Sequence, residues 1–140
     1  MPPPQHILIV DDSATARMFI ARCLSVAGLG EATVSTASNG VEALHHLRTQ
    51  PCDLVISDLI MPDMGGMDLM RRIAASPRLN HLQVVIVSSS SNPAIEQELR
   101  ALGALDVLQK PVSPTAIRAT LQHLDHGPDH EADPAKDSWG

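Results

Sequence analysis

The stretch LVISDLIMPD, residues 54–63, joins an uninterrupted apolar run to an aspartate and then to a loop that contains a proline. Such a run, rich in β-branched residues and without polar alternation, is typical of a strand covered on both faces of a parallel sheet. A strand of this kind gives no reason for a charged end, because acidic side chains are rarely buried without a partner. Asp58 therefore predicts a functional site.

The pattern of residues 53–57 recurs at 6–10 (HILIV) and 83–87 (QVVIV), and more weakly at 31–36 and 105–109. Between these predicted strands, five segments carry apolar residues at helical spacing, within residues 16–27, 41–47, 67–73, 95–102 and 117–124. The alternation predicts an α/β fold, a doubly wound parallel sheet of five strands flanked by five helices.

Local boundary signals agree with this division. Capping residues, two of them followed by a proline, precede three of the predicted helices: Ser38-Asn39, Asn92-Pro93 and Ser113-Pro114. Gly28 and Gly103 fall just beyond helical segments, where a left-handed residue ends a helix.

The length of 140 residues and the 44% of hydrophobic residues are those of one domain with its own core. The apolar pattern ends after Leu124, and residues 125–140 are polar and acidic. We therefore predict one domain over residues 1–124 and a disordered acidic tail over residues 125–140.

Charge and composition exclude several classes of partner. The tail holds five acidic residues and one lysine, so the formal net charge of −6 leaves −2 for residues 1–124. Neither part has the clustered Lys and Arg that bind nucleic acid, and no run has the length of a membrane span. Cys23 and Cys52 are too few for a disulfide framework and occupy apolar-patterned positions, so we predict reduced core cysteines and a cytoplasmic location.

Functional residues of parallel α/β sheets gather at the carboxyl ends of the strands. Here Asp11 and Asp12 follow the first strand, Asp58 ends the third, Ser88 follows the fourth and Lys110 follows the fifth. Three carboxylates and one ammonium leave a net charge of about −2, which a divalent cation would cancel. Oxygen ligands without histidine or cysteine favour Mg²⁺, with Mn²⁺ as the alternative.

An aspartate beside a metal, a lysine and a hydroxyl is also suited to phosphoryl transfer, with Asp58 as the nucleophile.

Four motifs together resemble the receiver domain of two-component response regulators: LIVDDS at 8–13, ISDLIMPDMGGMDLM at 56–70, VIVSSSS at 85–91 and LQKP at 108–111. The resemblance covers residues 6–124 and implies the flavodoxin-like strand order 2-1-3-4-5. With no second domain after residue 124, it indicates a single-domain receiver similar to those of chemotaxis.

The resemblance also implies roles for the residues of the site. Asp58 would accept a phosphoryl group from a phosphohistidine of a histidine kinase or a histidine phosphotransfer protein. The implied magnesium ligands are Asp11, Asp12, Asp58 and the backbone carbonyl of Ile60, and the implied catalytic residues are Asp58, Ser88 and Lys110. The domain would not be a classical enzyme, since it would catalyse only its own phosphorylation and a slow autodephosphorylation.

Phosphorylation would change the binding of a downstream protein, and we expect that partner on the face formed by the fourth helix, the fifth strand and the fifth helix. The domain would act as a monomer or as a phosphorylation-dependent dimer.

Three alternatives remain: a receiver fragment of a longer response regulator, a non-phosphorylated interaction module, and a metal-dependent phosphatase. A phosphatase would need a second acid near Asp58, where Ile60 stands.

Three positions set this chain apart from many members of the family. Val107 stands three residues before Lys110, where many receivers have an aromatic ring that reports phosphorylation. Ile60 and Ser90 stand where the family tunes the lifetime of the phosphoryl group, and neither offers an acid or an amide. We therefore expect slow dephosphorylation and a different form of signalling through the fifth strand.

Overall fold

The computed structural model describes residues 3–90 and 92–125, with the side chains of residues 123–125 left out. The strands are β1 (His6–Val10), β2 (Thr33–Ala37), β3 (Leu54–Asp58), β4 (Gln83–Ser88) and β5 (Asp106–Gln109). The helices are α1 (Ala14–Leu24), α2 (Gly40–Thr49), α3 (Gly66–Ala75), α4 (Pro93–Ala101) and α5 (Pro114–Asp125). The predicted alternation of five strands and five helices is confirmed.

The strands form one parallel sheet in the order β2-β1-β3-β4-β5. The order predicted from the family resemblance is therefore confirmed. Its register aligns the strand ends on one edge, since Val10 pairs with Ser57, Asp58 with Val87, and Ser88 with Gln109. That edge carries the predicted site.

Two apolar cores lie on opposite faces of the sheet. Alternate side chains of the central strands point to each face, which explains why β1, β3 and β4 read as continuous apolar runs. One core packs α2, α3 and α4 on the sheet and includes Leu8, Val55, Ile86, Leu44, Leu69 and Leu99. The other packs α1 and α5 and includes Ile7, Ile9, Ile56, Ile20, Leu24 and Ile117.

The helix boundaries follow local capping chemistry. Asn39 and Asn92 accept hydrogen bonds from backbone N–H groups in the first turns of α2 and α4, at 2.9 and 3.2 Å. Gly28 and Gly103 adopt positive φ angles of 105° and 107°, as predicted for residues beyond a helix end. The chain continues beyond α1 through a further turn over Ser25–Leu29, which is broken at Gly28 and was not predicted from the sequence.

No helix in the described part of the chain is long and apolar enough to cross a membrane. Helix α5 continues to Asp125, one residue past the predicted end of the domain. The rest of the predicted tail, residues 126–140, lies outside the described residues.

Candidate functional site

Three acidic side chains meet at the carboxyl edge of the sheet. Asp11 follows β1, Asp12 opens the loop to α1, and Asp58 is the last residue of β3. One carboxylate oxygen from each lies within 4.8 Å of the others. Asp11 is fully buried and Asp58 is 8% exposed, whereas Asp12 is exposed. The structure therefore brings together the three acids that the sequence analysis selected.

Lys110 lies in the same cluster. Its Nζ is 3.1 Å from Oδ2 of Asp11 and 3.4 Å from Oδ2 of Asp58. Its backbone N–H donates to the carbonyl of Ser88 at 2.8 Å, which holds the end of β5 against the end of β4. The following Lys110–Pro111 peptide bond is cis.

The electrostatics of the cluster favour an added positive charge. Burial raises the pKa of Asp58, and the negative charge of Asp11 raises it further, while Lys110 offsets part of the shift. Burial alone would lower the pKa of Lys110, but its hydrogen bond to Asp11 and the charge of Asp58 outweigh that penalty and raise it. One ammonium thus balances only part of the charge of three carboxylates.

The donor set fits a hard divalent cation. Three carboxylates, one of them solvent-exposed, supply oxygen ligands and leave an open side for water. No histidine or cysteine joins this group within the described residues. The chemistry of the donors therefore agrees with Mg²⁺ or Mn²⁺ rather than Zn²⁺.

Ser88 lies at the end of β4, as predicted, but its hydroxyl is engaged within its own loop. Its Oγ donates to the carbonyl of Ser90 at 2.8 Å and accepts from the backbone N–H of Ser90 at 3.2 Å. In this conformation, the hydroxyl of Ser88 therefore closes a turn with Ser90, and its one hydrogen-bond donor is used by the carbonyl of Ser90.

The loop from β3 to α3 is held close to Asp58. The backbone N–H of Gly66 donates to the carbonyl of Leu59 at 2.8 Å, and an added Cβ at Gly66 would lie 2.5 Å from the carbonyl oxygen of Asp58. Only glycine permits this approach. Ile60, whose carbonyl is a predicted metal ligand, has a side chain that is 74% exposed.

Arg17 also contacts the site, although it was not among the residues predicted from the sequence. This residue lies in α1, and its Nη1 donates to the backbone carbonyl of Asp11 at 2.7 Å. A positive charge near a helix N-terminus is disfavoured by the helix dipole. An arginine in the first turn of α1 was therefore a signal in the sequence for an interaction outside that helix. Asp63 and Asp68, which the sequence analysis left out of the site, lie instead in a loop turn and in an ion pair with Arg71.

A shallow apolar groove of about 540 Å³ opens beside the cluster. Its walls come from α1 and from the loop after β5, and include Phe19, Ile20, Lys110, Pro111 and Val112. Phe19 is the only aromatic residue among residues 1–138 and is 46% exposed. The site therefore has an apolar surface at its border.

Known proteins resemble this chain in both sequence and fold. The family model for the response regulator receiver domain matches residues 7–122. A two-component response regulator, ORR3, of Oryza sativa subsp. indica is 35% identical over 115 residues, which are 82% of this chain and 86% of that protein. A probable cyclic di-GMP phosphodiesterase of Vibrio cholerae is 36% identical over 120 residues, which are 84% of this chain but only 26% of that protein.

The fold of this chain is also similar to that of a solved response regulator structure. The chemotaxis response regulator CheY4 of Vibrio cholerae superimposes with a TM-score of 0.74 at 31% sequence identity. The superposition covers 85% of this chain and 97% of that chain. Together with the family match, this likeness shows that the chain belongs to the response regulator receiver domains, the phosphorylation-activated switches of two-component signalling.

Proposed function

We propose that Asp58 is the phosphorylated residue of this receiver, and that it takes its phosphoryl group from a phosphohistidine of a histidine kinase or a histidine phosphotransfer protein. One observation carries the proposal: the buried Asp58 ends β3 beside two further carboxylates and lies 3.4 Å from the ammonium of Lys110. In this environment the pKa of Asp58 is raised, and the ammonium of Lys110 can stabilise the negative charge that a phosphoryl group adds.

In the transfer, a carboxylate oxygen of Asp58 forms a bond to phosphorus while the phosphorus–nitrogen bond of the donor imidazole breaks. The imidazole keeps the electron pair and takes up a proton from solvent. The product is an acyl phosphate, a mixed anhydride whose hydrolysis restores the aspartate and resets the switch. Lys110, already paired with Asp58, would pair with the phosphoryl oxygens.

Asp11, Asp12 and Asp58, with the backbone carbonyl of Ile60, would hold Mg²⁺. A bound Mg²⁺ would neutralise charge on the transferring phosphoryl group. The fully buried Asp11 is already fixed, since Oδ1 accepts from the N–H of Ser13 at 2.9 Å and Oδ2 faces Lys110. The exposed Asp12 keeps its carboxylate open to an entering ion.

Ser88 would change partner when Asp58 is phosphorylated. To donate to the phosphoryl group, its hydroxyl must leave the carbonyl of Ser90, which opens the turn between β4 and α4. Leu99 is the one fully buried residue of α4, whereas α1, α2 and α3 each have three or four, so a shift of α4 would disturb less buried surface than a shift of those helices. The phosphoryl group would therefore bias the position of α4.

The downstream partner would dock on α4, β5 and α5. Asp106 at the start of β5 links these elements, because it accepts from Arg100 of α4 at 3.2 Å and from Thr120 of α5 at 2.8 Å. A shift of α4 would therefore be felt across this face. Val107 is partly buried against the core and has no ring to rotate, so the response through β5 would take a form other than ring rotation.

Intact-mass spectrometry tests the proposal. The protein is incubated with Mg²⁺ and acetyl phosphate, and we expect a gain of one phosphoryl group that is absent in Asp58→Asn. Asp63→Asn is the matched control, because Asp63 lies in the neighbouring loop at a φ of 68°, a conformation that asparagine tolerates well. Loss of the mass gain in the control, or its persistence in Asp58→Asn, would overturn the assignment. A wild-type protein that gains no mass would favour the non-phosphorylated interaction module.

A second possibility is that the chain is the receiver segment of a longer response regulator. The match to only 26% of the probable cyclic di-GMP phosphodiesterase favours it, since receivers evidently occur within longer proteins. An antibody against residues 1–124 would distinguish the two cases by the size of the protein it detects in the source cells. In either case we propose a cytoplasmic location, where its two free cysteines would stay reduced.

A further inference from the structure

Arg17 makes a contact that the proposed phosphorylation chemistry does not use. Its guanidinium leaves the N-terminal part of α1 and reaches back to the loop after β1, where Nη1 lies 2.7 Å from the backbone carbonyl of Asp11. That distance is at the short end for a charge-assisted hydrogen bond. We propose that Arg17 is a positioning residue that holds the Asp11–Asp12 peptide in the orientation required to bind Mg²⁺.

The contact acts on the neighbouring ligand, Asp12, through the peptide group that joins it to Asp11. The carbonyl of Asp11 belongs to the same planar peptide group as the backbone N–H of Asp12, so holding one end of that plane sets the other. The side chain of Asp11 is independently held by Ser13 and Lys110. The carboxylate of Asp12 is exposed and is not held in that way. Its direction therefore depends mainly on the backbone that Arg17 restrains.

The charge of Arg17 also acts weakly on a residue of α2. The pKa of Glu42, at the start of α2, is lowered by hydrogen bonds from Ser38 and, to a smaller degree, by the charge of Arg17. The loop after β1 is restrained from two sides, because Arg17 donates to the carbonyl of Asp11 and the N–H of Asp11 donates to the carbonyl of Ala37 at the end of β2.

Positioning and long-range charge make opposite predictions for Arg17. Arg17 is a cation close to an anionic site, so its charge alone repels Mg²⁺, and its removal would strengthen binding. If Arg17 instead orients the ligands, its removal weakens binding, as found generally for residues that support metal ligands. The sign of the change in metal affinity therefore decides between the two roles.

The role of Arg17 rests on the proposed magnesium site, so the experiment measures metal affinity directly. Free Mn²⁺ is followed by electron paramagnetic resonance as it is titrated with protein, and Mg²⁺ affinity is obtained by competition. The variants are Arg17→Met, which removes the donor and the charge, and Arg17→Lys, which keeps the charge but changes the donor geometry. Arg22→Met, at an exposed position of the same helix, is the control for charge.

We expect Arg17→Met to bind both ions about tenfold more weakly than the wild type, Arg17→Lys to be intermediate, and Arg22→Met to be unchanged or slightly tighter. Urea unfolding without metal checks that each variant is folded, and Arg17→Lys carries the test if Arg17→Met is not. Equal or tighter binding by the folded Arg17 variants would overturn the positioning role alone. A wild type that binds neither ion would overturn the proposed magnesium site and the role of Arg17 with it.

Discussion

Three aspartates of one site have three different environments, and these environments divide the chemistry among them. Asp11 is fully buried with both carboxylate oxygens engaged, Asp58 is nearly buried and faces Lys110, and Asp12 is exposed. A buried, fully bonded carboxylate suits a fixed ligand, and an exposed one suits the capture of an ion. Asp58, with its raised pKa and a cation at hand, is suited to react.

Ile60 provides a test of how this receiver controls the lifetime of its phosphoryl group. It lies two residues after Asp58, and its exposed side chain has no atom that can orient a water molecule. We expect Ile60→Asn to lose the phosphoryl group on the order of tenfold faster, less than the ~10²-fold or more that a general base provides. Intact-mass measurements after removal of the phosphoryl donor give the rate. Ile60→Val is the matched control, and an unchanged rate in Ile60→Asn would refute this role.

The two cysteines should react slowly with alkylating reagents. Burial raises the pKa of Cys52 to about 11, and burial also raises the pKa of Cys23. Because the thiolate is the reactive form, we expect iodoacetamide to modify Cys52 on the order of a hundredfold more slowly at pH 8 than a free thiol. The rate should rise about tenfold per pH unit until the pH approaches that pKa.

Mass spectrometry of timed samples measures the modification. The same protein unfolded in urea serves as the control, since both thiols then return to ordinary pKa values. Modification of folded Cys52 at the rate of the unfolded control would contradict its environment in the structure.

At the scale of elements, the loop from β3 to α3 depends on a glycine that brings two backbones together. We expect Gly66→Ala to destabilise the protein by about 1–3 kcal/mol, because the new Cβ would overlap the carbonyl of Asp58 and force the end of β3 to move. Urea unfolding measures the loss, and the displaced Asp58 should also be phosphorylated more slowly.

Gly30→Ala is the matched control for this substitution. Gly30 has an ordinary helical φ of −63°, and its added Cβ would meet only the movable hydroxyl of Ser25, at 3.3 Å. Its free energy of unfolding should change by less than about 0.5 kcal/mol. Equal effects of the two substitutions would contradict a specific role for Gly66.

Elements with strong local patterns could be predicted from the sequence. The central strands β1 and β3 read as apolar runs because both faces are covered, whereas the edge strands β2 and β5 read weakly because they are partly exposed. Asn39 and Asn92 marked helix starts because their capping bonds are local. These signals depend only on neighbours in the chain.

Contacts that depend on the folded geometry could not be predicted in the same way. The close approach of Gly66 to Asp58 requires the folded loop, and the bond from Arg17 to Asp11 requires the angle between α1 and β1. The turn that Ser88 closes with Ser90 depends on a choice of side-chain rotamer. Each depends on backbone or side-chain geometry that residue types alone do not specify.

At the scale of the whole molecule, the clustered carboxylates lower the stability of the fold, and a cation bound to them would raise it again. Burial of Asp58 and, after it, repulsion from the buried Asp11 both disfavour the charged carboxylate, and the raised pKa of Asp58 reflects these two costs. An ion that binds only the folded cluster must stabilise the fold, by ~2.7 kcal/mol at one hundred times its dissociation constant. Stability and function are thus opposed in the metal-free protein.

Asp58→Asn separates these two effects. In EDTA we expect the variant to be more stable than the wild type by about 0.5–2 kcal/mol, because it removes a buried negative charge beside Asp11. Added Mg²⁺ should raise the melting temperature of the wild type strongly and that of the variant much less, since one of three carboxylate ligands is lost. Scanning calorimetry with and without Mg²⁺ measures both changes, with Asp63→Asn as the control that keeps the wild-type response. A variant less stable than the wild type in EDTA would mean that the pairing of Asp58 with Lys110 outweighs the repulsion from Asp11.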